Sequence, residues 1–497
     1  MALFLIIDSR GFLISVLSKR FVKKALSLLQ FLAHTSWGAD RDSLLLLHKM
    51  LILPKLEYGS EVYSSATEAR LRVLDSVHHA GVRLATGAFR SSPIPSLLVD
   101  AGVLPLDLRR QSVMLRCWFR SQRLPDSVSC QSILRDSRSN VYNARPSFPK
   151  PLGFRVRYLL TTLSIPSVPI CPYRLPRVGY WRFPDVAVCP PVSFYKRDLP
   201  TAASHALFME HYSSHCNSIP VFTDGSKSAT GVGFGVVFPT FCRGVSLPLV
   251  SGIYTAELSA IVMALQLIFT LPVNSFTIFS DSRSVLSALN SSRSFFHPLV
   301  LSAREWLYLL GNRGYRVGFC WVPGHVGVSG NERADRLARE SATRAALRSS
   351  IPCTDLYPVV REAIIAIWQE RWTARCATSK MGEVTRSVSN NRSYTHVQDR
   401  RSQTCLARLR IGHSRLTHSY LMSRDYQPYC DDCLVPLTIR HLLVECPSLG
   451  DLRDRFLYRC RNADGAYALS RVLGPHFLSP GFRVLNFLEE AGLLSLL

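Results

Sequence analysis

Residues 219–250 read IPVFTDGSKSATGVGFGVVFPTFCRGVSLPLV, and the texture of this stretch decides the fold. Ile219 to Thr223 is a short apolar run. Val232 to Phe238 and Val245 to Val250 are two more, with turn residues between them. Three short strands with tight connections predict an antiparallel meander. Beyond it, Tyr254 to Phe269 sets Leu258, Ile261, Val262, Leu265, Ile268 and Phe269 in a helical stripe, with Ala256, Ala260 and Ala264 filling in. Phe276 to Ser280 then reads as a strand, Ser282 to Leu289 and Val300 to Leu310 as helices, and Val317 to Val322 as a strand. Asn331 to about Leu347 reads as a helix that Asn331 caps. The order predicts an α/β domain over 215–348: a mixed five-stranded sheet flanked by helices.

Four carboxylates are placed suggestively in that domain. Asp224 ends Val221-Phe222-Thr223, and Asp281 ends Ile278-Phe279-Ser280. Both side chains emerge at one sheet edge if these strands are parallel neighbours. Glu257 shares a helix face with Ala260 and Ala264, and Asp335 sits beside the Ala334/Leu337/Ala338 face of the last helix. Lys227 is the one lysine near them in sequence. Converging acids raise one another's pKa unless divalent cations neutralise them, and hard oxygen ligands select Mg²⁺ or Mn²⁺. Each acid also has an ordinary reading. Asp224-Gly225 is a turn signal, Glu257 a first-turn acid, Asp281 a helix cap and Asp335 a solvated helix position.

The flanking residues spell Thr223-Asp224-Gly225-Ser226, Thr255-Ala256-Glu257-Leu258, Phe279-Ser280-Asp281-Ser282, Trp321-Val322-Pro323-Gly324-His325 and Gly330-Asn331-Glu332-Arg333-Ala334-Asp335. In this order they resemble a type 1 ribonuclease H domain of the kind carried by LINE-type, non-LTR retrotransposons. The resemblance implies a ribonuclease H-like fold. It also implies endonucleolytic hydrolysis of the RNA strand of RNA/DNA hybrids to 5′-phosphomonoesters by a two-metal mechanism. Asp224, Glu257, Asp281 and Asp335 would hold two Mg²⁺ ions, with Mn²⁺ as a substitute, and His325 would assist proton transfer or product release. Gly225 and Ser226 would sense the 2′-OH, and Asn331 would also contact nucleic acid. Gly231, Gly233 and Gly235 lie inside a strand and precede no helix, which argues against a dinucleotide site.

Outside this domain the signals are coarser. The 497 residues hold 59 Lys and Arg against 35 Asp and Glu, a net charge of +24, and this balance attracts polyanions. Residues 1–125 read as mostly helical. Pro54-Lys55-Leu56-Glu57-Tyr58-Gly59 and Leu74-Asp75-Ser76-Val77, with Arg83 and Gly87, resemble the thumb region that follows a reverse transcriptase palm. No Tyr/Phe-Ala-Asp-Asp motif occurs, so DNA synthesis is not expected. Residues 126–214 read as a Pro-rich basic linker in which Arg155, Arg157, Arg174, Arg177 and Arg182 lie among aromatics. Residues 349–420 read as a helical, basic connector, 421–450 as a zinc-knuckle-like segment and 451–497 as a tail. Cys430, Cys433, His441 and Cys446 have the ligand types and compact spacing of a structural Zn²⁺ site.

The 14 cysteines are scattered, which points to a reducing, intracellular compartment, cytoplasm or nucleus. The apolar start, Met1 to Leu17, is broken by Asp8 and Arg10, and Leu258 to Val273 is too short to span a bilayer, so neither signal peptide nor transmembrane segment is expected. Nucleic acid is the expected partner; oligomeric state is not legible. Two other readings stay open: a catalytically inactive nucleic-acid-binding remnant, and another nuclease of the wider superfamily, such as an integrase or transposase.

Overall fold

The structure is a computed structural model and describes residues 12–134, 142, 144–145, 148–186, 188–189, 200–213, 217–291, 297–346, 349–388, 394, 396–474, 478 and 483–497. Parts of the sequence reading at Met1 to Leu17, Pro146, Pro190, Pro191 and Leu347 therefore fall outside the described residues. The chain divides into two compact units, one drawn from 1–115, 137–156 and 361–497, the other from 116–136 and 157–360.

The second unit is built on a six-stranded sheet: β1 (Val188–Cys189), β2 (Ile219–Lys227), β3 (Val232–Val237), β4 (Cys242–Leu247), β5 (Ser275–Ser280) and β6 (Arg316–Trp321). Their order across the sheet is β1-β6-β5-β2-β3-β4. The meander β2-β3-β4 is antiparallel, whereas β1, β6, β5 and β2 run parallel. Helices α1 (Thr201–Ser213), α2 (Ile253–Ile268), α3 (Arg283–Asn290), α4 (Pro298–Asn312) and α5 (Ser329–Ala342) complete the unit.

Both faces of the sheet are covered, so its inner strands are continuous apolar runs rather than alternating ones. Successive side chains still point to opposite faces. Val221, Val236, Ile278 and Phe319 enter the core shared with α2 and α4. Phe222, Val237, Phe279 and Cys320 enter the one that also takes Phe208 of α1 and Ala334 of α5. Gly233 and Gly235 lie under α5: a Cβ on the first would stand 2.5 Å from the Ala342 amide nitrogen, and on the second 2.7 Å from the Ala334 carbonyl oxygen. These glycines seat a helix directly on the sheet, which accounts physically for a glycine pattern unconnected with dinucleotides.

The expected elements are present, with corrections. The sheet has six strands, not five, because the two-residue β1 is contributed by the segment read as a linker. That segment also holds the helices Leu152–Thr162 and Thr201–Ser213. Each begins immediately after a proline, Pro151 or Pro200, and proline suits a helix start as well as it spoils a helix interior. Strand β2 runs through Asp224 to Lys227 instead of ending before it, because the antiparallel pairing with β3 continues. Helix α5 starts at Ser329 with Val328 in the cap position, so Asn331 does not cap it.

The first unit is helical and joins both ends of the chain. Arg400 donates to the Ala85 and Leu84 carbonyls at 2.7 and 2.9 Å, and Arg408 to Gly87 at 3.0 Å, so the helix Arg400–Ile411 closes the C-terminal end of Glu68–Thr86. At its centre Asp100, fully buried, accepts from Arg410 Nε at 2.8 Å and Tyr394 Oη at 2.9 Å. Arg41 also bonds the Asp100 carbonyl oxygen. The sequence reading separated 1–125 from 349–420 and 451–497. In the structure, ion pairing across some 300 positions unites much of them. Among the described residues no helix is long and apolar enough to cross a membrane.

Candidate active site and Cys/His cluster

Strands β2 and β5 are paired in parallel up to Thr223 and Ser280, so Asp224 and Asp281 are the next residue on each, at the edge where the two ladders part. Open sheets place ligands at this carboxyl edge. Glu257 arrives on the first turns of α2, and the approach is tight: a Cβ on Gly225 would stand 2.6 Å from the Glu257 amide nitrogen. Asp224, Glu257 and Asp281 can each offer a carboxylate oxygen such that all three lie within 4.8 Å of one another.

The group is electrostatically loaded. Burial, then Asp281 and Asp335, push the Asp224 carboxyl up to about 8. Burial, then Asp224 and Asp281, push Glu257 up to about 9, and among the described residues its Oε2 has no hydrogen-bond partner. Asp281 is raised by burial, against the pull of His325 and a side-chain hydrogen bond from Asn331. Lys227 does not neutralise the group; its ammonium donates to the Ser251 carbonyl at 2.8 Å. A cluster of mutually repelling, largely buried carboxylates is a donor set suited to hard divalent cations.

Asp335 is not one of these three mutually close acids but is within hydrogen-bonding reach of Asp224. It lies near enough to raise Asp224, yet its Oδ2 is held by Arg339 at 2.6 Å, four residues on along α5. His325 Nδ1 is 4.0 Å from the same oxygen, with a side chain 76% exposed. The His325 backbone is left-handed, φ 58°, a conformation that costs a non-glycine residue about 1 kcal/mol or more and is concentrated at functional loops. Gly324 before it leaves room for the carboxylate: a Cβ there would stand 2.9 Å from Asp281 Oδ2 and push that oxygen aside. Asn331, expected to meet nucleic acid, is 3% exposed and bonded to Asp281. The Gly225 amide is turned toward the Asp224 and Glu257 carboxylates, while Ser226 stays half-buried at the strand end.

Two supports escaped the sequence reading. Trp321 Nε1 donates to the Asp281 carbonyl at 3.0 Å and is itself covered by the Arg283 guanidinium at 4.1 Å, fixing the turn that carries Asp281. Asp355 accepts from the Gly252 amide at 3.0 Å and the Thr255 hydroxyl at 2.9 Å, acting as the N-terminal cap of α2 from 100 residues away. No local signal marks such a cap, whereas the Asp335/Arg339 spacing was readable as a helical pair. Asp355→Ala is expected to destabilise the protein by about 1–3 kcal/mol, seen as a lower thermal midpoint, because it strands a buried amide and a hydroxyl. Asp355→Asn, which keeps an acceptor, should lose less; equal loss would remove the cap from the account.

In the first unit, Cys430, Cys433, His441 and Cys446 bring one ligand atom each within 4.8 Å of the others. Cys446 Sγ lies 3.8 Å from Cys433 Sγ and 4.0 Å from Cys430 Sγ. These match the edge of about 3.8 Å of a tetrahedron with zinc–sulfur bonds of about 2.3 Å. The His441 ring lies beside Cys430 and lowers its thiol to about 7, which favours the thiolate a metal needs.

Residues 217–343 match the family model for RNase H. They form a ribonuclease H domain, and the α/β fold around it is ribonuclease H-like, with a helical region before it and a Cys/His-bearing region after it. The domain implies a hydrolase that binds nucleic acid, with the RNA/DNA hybrid as its substrate class. No curated protein matches the chain.

Proposed function

We propose that the protein is a divalent-metal-dependent endoribonuclease that cuts the RNA strand of RNA/DNA hybrids. The observation that carries this reading is the Asp224/Glu257/Asp281 cluster, two buried acids and one half-buried, whose oxygens lie within 4.8 Å of one another inside a ribonuclease H domain, while Lys227 is bonded to the Ser251 carbonyl instead. Two Mg²⁺ ions held by these residues and Asp335 would supply an activated water and charge stabilisation at the leaving 3′ oxygen. The chain's own groups do the rest. Asn331 bonds the Asp281 carboxylate, Trp321 fixes the Asp281 backbone, Gly324 leaves the carboxylate room, and Arg339 orients Asp335. His325, exposed on its left-handed loop, carries a proton to or from the products. Ser226 is the candidate contact for the 2′-OH. As water attacks phosphorus the P–O3′ bond breaks, leaving a 5′-phosphate on one fragment and a 3′-hydroxyl on the other.

The test is cleavage of a labelled RNA/DNA hybrid with Mg²⁺ by wild type and by Asp281→Asn protein. Wild type should cut and the variant should not. Equal cutting by both removes Asp281 from the chemistry, and binding by both without cutting favours the inactive nucleic-acid-binding remnant.

The Cys/His cluster is proposed to hold one structural Zn²⁺. Metal analysis of the purified chain should find zinc at about one per molecule, falling to none in Cys433→Ser protein; unchanged zinc in the variant eliminates Cys433 as a ligand. The resemblances at Pro54 to Gly59 and Leu74 to Val77, together with this cluster, support placing the chain in a LINE-type retrotransposon product.

A further inference from the structure

Within the segment that the sequence presents as a linker, residues 169–186 form a strap on the nuclease unit. At its start the Cys171 amide donates to the Ile351 carbonyl at 2.8 Å and the Ile351 amide to Pro169 at 2.9 Å. In its middle Glu305 of α4 takes a two-pronged grip: Arg174 Nη1 and Nη2 donate to its two oxygens at 2.7 and 2.5 Å, and the Arg177 amide adds a third bond at 3.0 Å. At its end Phe183 and Val186 are buried, Arg304 donates to the Pro184 carbonyl at 3.1 Å, and β1 joins the sheet.

A chain of ring and cation contacts runs from half-buried residues at the start of α2 out along the strap, and only its outer members, Tyr180, Trp181 and Arg182, are exposed. Tyr254, one turn before Glu257 on α2, meets the ring of His297 edge-to-face at 5.3 Å. Among the described residues neither His297 nitrogen has a hydrogen-bond partner, and burial and the charge of Arg123 push its imidazole down to about 4. The Arg123 guanidinium lies 5.3 Å above the Tyr173 ring, and Tyr173 shares a side-chain hydrogen bond with Tyr180. Next come Trp181, 87% exposed, and Arg182. No Asp or Glu occurs from 157 to 183, where Arg157, Arg174, Arg177 and Arg182 do. Rings that accept stacked bases, set among cations that track phosphates, are the makings of a single-strand platform rather than of a duplex groove.

We propose that the strap, with Trp181 and Arg182 at its exposed end and the Tyr254–His297 contact anchoring its base, binds a single-stranded extension of the hybrid. The inference rests on the hybrid as substrate, but its ligand and residues lie outside the 217–343 domain except for Tyr254 and His297.

Binding is measured in EDTA, so that nothing is cut, by fluorescence anisotropy with the full chain. The probes are a blunt RNA/DNA hybrid and the same hybrid carrying a single-stranded RNA extension of about ten nucleotides at one end or the other. Wild type should bind at least one extended probe about five- to tenfold more tightly than the blunt one, the range expected for one well-stacked base. In Trp181→Ala/Arg182→Ala protein that ratio should fall to about one, whereas Trp181→Phe, which keeps a stacking ring, should retain most of it. A wild-type ratio near one, an undiminished ratio in the double variant, or loss of the ratio in Trp181→Phe each overturns the proposal. Cleavage of the blunt hybrid is scored separately: a preserved ratio without cleavage leaves the strap standing and removes the nuclease reading, and cleavage with a ratio near one does the reverse.

Discussion

Asp224→Asn protein is expected to lose hybrid cleavage by about 10³-fold, roughly 4 kcal/mol of transition-state stabilisation, and yet to be more stable than wild type when metal is withheld at pH 8. The second effect follows from the direction of the pKa shifts. Asp224 and Glu257 titrate near 3.8 and 4.5 when unperturbed and at about 8 and 9 in the fold. The folded chain therefore holds more protons than the unfolded one over that interval, and stability falls as pH rises through it. By pH 8 to 9 most of that cost is incurred. Cations bound at the cluster reverse it, so the thermal midpoint of wild type in EDTA should decline from pH 5 to pH 9 and recover on adding Mg²⁺. Asparagine at 224 removes one of the repelling acids, which raises the midpoint in EDTA and shrinks the Mg²⁺ response. A variant no more stable than wild type in EDTA, with an undiminished Mg²⁺ response, would show that the acids are neutralised some other way.

Asp100→Ala is expected to be the most damaging single substitution in the helical unit, at about 3–5 kcal/mol. Its carboxylate is the counter-charge for Arg410, which is fully buried, and stands 3.6 Å from Arg41, which is 3% exposed. Deleting it strands two cations and the Tyr394 hydroxyl in an apolar interior. Urea unfolding followed by circular dichroism should show the loss as a lower midpoint. Asp100→Asn, which keeps hydrogen-bonding capacity but not charge, should fall between the two proteins. If alanine costs under about 1 kcal/mol, the network is not what ties the chain's two ends together.

The nuclease unit was legible in the sequence because its strands and helices carry their own periodicity. Val221, Phe222 and their neighbours make unbroken apolar runs since both faces of the sheet are covered, and the alanines of α2 mark a helix packed close. The acids at Asp224 and Asp281 were readable because each follows a strand that ends, or changes partner, at that residue. Other features leave no local trace. Two residues, Val188 and Cys189, are too few to show an alternation, and proline around them argued for a linker. Asp355 caps a helix that begins 103 residues earlier. Asn331 looks like a helix cap in sequence, but its side chain is committed to Asp281. The pairing of Asp100 with Arg410 spans 310 positions, beyond the reach of any periodicity.

The glycines beneath α5 bear on accuracy. A helix resting on side chains shifts whenever a rotamer changes, but one resting backbone to backbone has almost no play. Asp335, which stands outside the tight triad, rides on that helix. Its distance from Asp224 is therefore set by the absence of atoms at Gly233 and Gly235, on a strand that contributes no functional group of its own. A single methyl group added there would act as a shim under the whole helix and misalign the fourth acid while leaving every acid in the sequence intact.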